Sequence, residues 1–136
     1  MLGVRKYTPD YINVCRARVE GDLSAYRKVA ANASGNGVLE AFEATFFNNM
    51  VLVLDHFFVH RLRTVEGKDG NALNEVRVLS DSLMENNGVM KPDKSIKLSS
   101  AGSVLGYETG EEIKLTDPDF VRLSEAFFAE IESRYV

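Results

Sequence analysis

The chain has one cysteine, two histidines and no excess of basic residues. Each scarcity removes a class of function. A lone thiol, Cys15, excludes an intrachain disulfide and argues for a reducing compartment. Sixteen Lys and Arg stand against twenty Asp and Glu, for a formal net charge of −4. That balance lacks the basic face that duplex nucleic acid usually requires. One local basic stretch remains, because His60, Arg61, Arg63 and Lys68 lie close in sequence. The opening MLGVRKYTPD has no apolar h-region, so no secretory leader is expected. The most apolar run, around residues 44–59, is shorter than the ~18 residues of a spanning helix. It is also interrupted by Asn48, Asn49, Asp55 and His56. The expectation is a soluble, cytoplasmic protein with no membrane partner and with nucleic acid disfavoured.

What is present fits one domain over residues 1–136, with 45% apolar residues. A chain of this size buries roughly 68% of the surface its unfolded state exposes, so it needs no covalent staple. Thr8-Pro9 reads as an N-cap followed by proline in the first turn. Tyr11, Val14, Cys15, Val19, Leu23, Tyr26, Val29 and Ala30 then follow helical spacing, with Gly21 inside the pattern. Ser34-Gly35-Asn36-Gly37 breaks it. A second helix is expected from about Val38 to about Val65, roughly 40 Å long. Gly67-Lys68-Asp69-Gly70 ends it. Asn71 caps a third helix with Leu73, Val76, Leu79 and Leu83 as its buried stripe, closed by Asn86-Asn87-Gly88.

Residues 89–115 lose the helical period. Ser95 to Ser99 and Glu112 to Thr116 are near copies of an alternating apolar and polar pattern. A short β-hairpin or extended flap is expected over about residues 95–115. Thr116-Asp117-Pro118-Asp119 caps a last helix with the stripe Phe120, Leu123, Phe127, Phe128, Ile131 and Tyr135. The fold class is therefore mainly α: an antiparallel bundle of about four helices in a single domain, with a flap before the last.

Chemistry is hinted at only in Thr45 to Arg63, TFFNNMVLVLDHFFVHRLR, which holds both histidines, His56 and His60. Advancing about 100° per residue puts Thr45, Asn49, His56, His60 and Arg63 within about 40° of one line. Such a helix carries a polar seam through an apolar surface. Two imidazoles at i and i+4 can reach one metal ion, and facing helices of a bundle can add carboxylates. A zincin-type protease would have glutamate after the first histidine, where Phe57 stands. The spacing is similar to that of the four-helix DinB-type proteins, which add a third, distant histidine that this chain lacks. The alternatives are that His56 and His60 bond to neighbouring helices or cover an interface, or that they serve as a metal-free acid–base pair. No metal and no cofactor is favoured; His56 and His60 are the ligands if one binds. Buried, Asn49 would fix register.

Asn74, Arg77 and Asp81 share one side of the third helix, and Arg77 with Asp81 has pairing spacing. With Lys68, Asp69 and Asn71 they form the densest polar cluster, a candidate for a ligand or a partner. Gly67 to Gly70 lacks a phosphate-loop pattern. Ser99, Ser100 and Ser103 read as turn residues without a nucleophile elbow. The layout of long helices, loop and flap also resembles the small helical RNases of the HEPN type. Their Arg-then-His motif is missing, because no histidine follows Arg61, Arg63 or Arg77.

Three functions stay open: a non-enzymatic interaction or small-ligand-binding module that self-associates, a metal-dependent bundle enzyme using His56 and His60, and a non-catalytic relative of helical RNA-processing domains. The ligand or interaction candidates are Asn49, His56, His60, Arg63, Asn74 and Arg77. A homodimer is expected, because apolar residues occupy well over half of the second helix and must be enclosed.

Overall fold

The computed structural model describes residues 3–33, 37–99 and 102–136. Ser34 to Asn36 of the first breaker, and Ser100, lie outside the described residues. Five helices are present among the described residues: α1 (Pro9–Ala31), α2 (Val38–Phe57), α3 (Arg63–Glu66), α4 (Ala72–Glu85) and α5 (Asp117–Tyr135). Of the described residues 62% are helical, with almost no strand.

The expected caps form. Thr8 accepts the Tyr11 amide at 3.1 Å at the start of α1. The Asn71 side chain accepts the amides of Leu73 and Asn74 to start α4. Thr116 and Asp119 form a reciprocal capping box on α5, satisfying amides that a helix start leaves unpaired. Asn87 and Gly88 take positive φ after α4, and the Gly88 amide turns back to the Ser82 carbonyl at 3.1 Å.

The second helix departs from expectation. It ends at Phe57, not near Val65, and a separate four-residue α3 follows. The cause is tertiary. Near the N-terminus, the Val4 amide donates to the His60 carbonyl at 2.7 Å, and the Leu62 amide donates to the Val4 carbonyl at 2.8 Å. That parallel bridge between Val4 and Arg61 holds Arg61 outside helical geometry. Phe58 is fully buried, and its carbonyl accepts both the amide and the guanidinium of Arg61. The Tyr11 hydroxyl donates to the Phe57 carbonyl. Long-range bonds thus replace the local ones that would have continued α2.

Enclosure also differs from the sequence reading. Nine of α4's 14 residues are buried, against four of α2's 20. The central helix is α4, packed on α2 and α5, while α2 keeps an outward side. Along α1, Ile12, Cys15, Val19 and Tyr26 are buried, but Tyr11, Val14 and Val29 of the expected stripe are 40%, 57% and 57% exposed. The whole expected stripe of α5 is buried.

Among the described residues between α4 and α5, turns, bends and irregular backbone stand in place of strands. The antiparallel bridge joins Val89 to Glu112, flanked by Met90 amide to Glu111 carbonyl and Ile113 amide to Gly88 carbonyl, both 2.8 Å. Pairing therefore uses residues 88–90, not 95–99. The alternation still sets which side chains go inward: Ile96, Ile113 and Leu115 join the core while Lys97 and Lys114 stay exposed. Two side chains tie this segment down. Asn48 donates to the Ile113 carbonyl at 2.8 Å and accepts the Leu115 amide at 3.2 Å. The buried Glu75 carboxylate accepts the Ser103 hydroxyl and the Val104 and Leu105 amides at 2.7–2.9 Å.

Candidate functional site

The break after α2 creates two adjoining features. One is a buried ionic junction. Glu66, fully buried at the end of α3, accepts Arg61 Nε at 2.9 Å, Asn74 Nδ2 at 2.8 Å, and Arg77 Nε and Nη2 at 3.1 and 2.6 Å. Arg61 is itself buried, and its Nη2 reaches Asp55 at 3.0 Å. Arg134 of α5 donates to the Glu66 carbonyl at 3.0 Å. Burial pushes the Glu66 carboxyl up, but the hydrogen bond from Arg77 and the charges of Arg61 and Arg77 outweigh it, so its pKa lies below the ordinary carboxylate value. Every polar atom of that carboxylate is engaged from within the chain, which makes the junction a structural clamp between α3, α4 and the end of α2.

The second feature is a groove of about 790 Å³ beside the junction. Tyr11 and Arg18 line it from α1, and Leu52, Val53, His56 and Phe57 from α2. Val59 and His60 come from the turn after α2, Val4 and Tyr7 from the N-terminal segment, and Met84 from α4. The Arg18 guanidinium lies 5.8 Å from the centroid of the Phe57 ring, within cation–π range. Burial, then a hydrogen bond with Cys15, pushes the Tyr11 hydroxyl up to about 12. Burial also raises the Cys15 thiol, leaving it little thiolate character. The Tyr7 hydroxyl is buried without a hydrogen-bond partner among the described residues.

The six candidates read from the sequence divide among four places. His56 and His60 meet in the groove, both exposed. They do so from a helix end and a turn, not from one helical face. Asn74 and Arg77 belong to the buried junction, and Arg77 pairs with Glu66 rather than with Asp81. Asn49 is exposed on α2, so it fixes no register; the neighbouring Asn48 holds the extended segment instead. Arg63 is exposed at the start of α3 and does not line the groove. Among the described residues, no group of three or more His, Cys, Asp or Glu converges as metal ligands.

Sequence reading missed Arg61, Glu66 and Glu75. Glu66 lies just past the expected end of the second helix near Val65, where an exposed carboxylate is the ordinary outcome. The available signal was its place immediately before Gly67, where a helix must stop. No described helix is long and apolar enough to cross a membrane. Fold and site define a mainly helical protein with an amphipathic surface groove. No family model, curated protein or solved structure matches the chain.

Proposed function

We propose that the chain is a non-enzymatic interaction and small-ligand-binding module that self-associates, with the groove between α1 and the end of α2 as its ligand site. The observation that carries this reading is the groove itself. Its volume of about 790 Å³ lies within the few hundred to about 1,000 Å³ typical of small-molecule sites. An apolar floor with a few convergent polar groups is the usual composition of such sites. A metal-dependent reading has both imidazoles in one groove in its favour, but no third protein ligand among the described residues.

Self-association is supported by a different surface. Val29, Val38 and Phe42 lie at the end of the α1–α2 pair where the two helices connect, and are 57%, 66% and 45% exposed. Phe42 continues an aromatic cluster with Tyr26 and Phe46, ring centroids 5.3–6.2 Å apart. An identical partner applied there would cover them, and a two-fold dimer is the commonest closed solution.

Amide NMR with a fragment mixture tests the ligand site: shifts concentrated at Tyr11, Leu52, Phe57, Val59 and His60 are expected. Shifts that are absent, or scattered over the surface, overturn it. Light scattering at micromolar concentration tests the dimer. The expected mass is about twice the chain's 15.1 kDa, and a monomer mass across a broad concentration range refutes it.

A further inference from the structure

The groove is chemically one-sided. Its lining holds three basic side chains, Arg18, His56 and His60, and no Asp or Glu, in a chain whose formal net charge is −4. Of the acids adjacent in sequence to lining residues, Asp55 is held by Arg61 at 3.0 Å, Glu85 by Lys91 at 2.7 Å, and Asp10 lies in the exposed first turn of α1. Among the described residues Arg18 has neither a salt bridge nor a side-chain hydrogen bond, whereas Arg16, two residues before and on another side of α1, is bonded to Glu132 at 2.7 Å.

The end of a helix would ordinarily oppose an anion, because its last carbonyls are unpaired. At the end of α2 they are occupied. The Asp55, His56, Phe57 and Phe58 carbonyls accept, in turn, the Phe58 amide, the Val59 amide, the Tyr11 hydroxyl and the Arg61 amide. Besides Arg18, the two histidines and the rings of Tyr7 and Tyr11, what lines the groove is aliphatic or aromatic: Leu52, Val53, Phe57, Val59 and Met84 among them. Met84 is 71% and Val59 42% exposed, so both have apolar surface that a bound hydrocarbon would cover.

We propose that the groove binds an amphipathic monocarboxylate, with Arg18 holding the carboxylate, His56 and His60 assisting as hydrogen-bond donors, and the apolar floor taking the hydrocarbon body. The proposal rests on the reading of the groove as a ligand site. A guanidinium matches a carboxylate with two parallel N–H bonds. A purely apolar ligand would cover an unpaired cation, which is unfavourable without compensation. A small inorganic anion would leave the larger, apolar part of the groove unused.

The test titrates octanoate and 1-octanol, equal in chain length, against the wild-type chain and Arg18→Gln. Backbone amide and imidazole NMR signals are followed. Arg18 is exposed, so its replacement leaves the core intact, which circular dichroism checks. Octanoate is expected to saturate at the groove, with 1-octanol roughly tenfold weaker or more. Arg18→Gln is expected to weaken octanoate roughly tenfold and leave 1-octanol unchanged. Equal binding of the two ligands, or octanoate binding indifferent to Arg18→Gln, overturns the carboxylate assignment while the groove remains a ligand site. If neither ligand shifts groove signals, the carboxylate assignment is likewise overturned, and the fragment mixture alone decides whether the groove binds ligands at all.

Discussion

Replacing Glu66 by Gln is the sharpest test of the junction beside the groove. The substitution keeps side-chain shape and removes one charge from a site where Glu66 and Arg61 are both 0% exposed. Four donor contacts of 2.6–3.1 Å, from Arg61, Asn74 and Arg77, converge on the wild-type carboxylate. A Gln amide turns its own NH2 toward one of those donor sets. Arg61 then keeps one ion-pair partner, Asp55. Breaking a buried pair from one side costs about 3–5 kcal/mol, because the remaining charge stays buried. Domains are stable by about 5–15 kcal/mol in total, so the variant should unfold at much lower urea. Arg77→Met is the milder companion. Arg77 is 18% exposed, and Glu66 would keep Arg61 and Asn74, so about 1.5–3 kcal/mol is expected.

The pH dependence follows from the same contacts. The folded Glu66 carboxyl has a lowered pKa, so the unfolded chain binds its proton more readily. Its contribution is complete above the unfolded carboxylate pKa of about 4.3 and is lost as pH falls through the lower folded value. The gap in stability between wild type and Glu66→Gln should therefore be full at neutral pH and shrink on acidification below about 4. Urea unfolding followed by circular dichroism across that range measures both. A loss under about 1 kcal/mol at neutral pH, or a gap that stays constant into acid, refutes the clamp.

Two glycines make opposite predictions. Gly21 lies within α1 with nothing within 4 Å of an added Cβ, so Gly21→Ala should stabilise the chain by about 1 kcal/mol, seen as a higher unfolding temperature; no rise would mean α1 is not helical there in solution. An added Cβ at Gly3 would lie 2.8 Å from the Leu62 Cα and 2.9 Å from the His60 carbonyl oxygen. Gly3→Ala should break the Val4 pairing, with loss of about 1–3 kcal/mol for two backbone bonds and faster hydrogen exchange at Val4 and Leu62. Unchanged protection at both amides would contradict the close approach.

Local signals were legible because their partners are near in sequence. Thr8 with Tyr11, Asn71 with Leu73, and Thr116 with Asp119 are separated by two or three residues, and all three caps form as read. The stripe of α5 is also a local pattern, and it is buried throughout. The end of α2 was not legible because its cause, Val4, lies more than fifty residues away. Nor was the choice between two adjacent asparagines. Asn48 and Asn49 point about 100° apart on a helix, and only the path of residues 113–115 decides that Asn48 is the one used. The histidine pair shows a subtler failure. His56 and His60 do share a surface, as the spacing suggested, but a turn brings them together where a helix was expected.

Arg61 connects the two features of the chain. Its guanidinium belongs to the buried junction, bonded to Glu66 and Asp55. Its backbone lies between the two residues that pair with Val4: the carbonyl of His60 and the amide of Leu62. The neighbouring His60 lines the groove. A residue whose side chain is fixed from one side and whose flanking peptides are fixed from the other has little freedom to move its neighbours. The ion pairs that cost solvation energy in the interior thereby hold the turn that places His60 in the same groove lining as Arg18 and His56. One of the guanidinium's donors also serves the backbone that α2 leaves behind: Arg61 Nη1 donates to the Phe58 carbonyl at 3.0 Å. Loss of the clamp should then act on the groove as well as on stability. In Glu66→Gln held under folding conditions, the His60 imidazole and Val59 amide signals would move before those of Leu52 and Val53, which α2 holds independently. Shifts spread evenly over all four would indicate general loosening, and would separate the clamp from the groove.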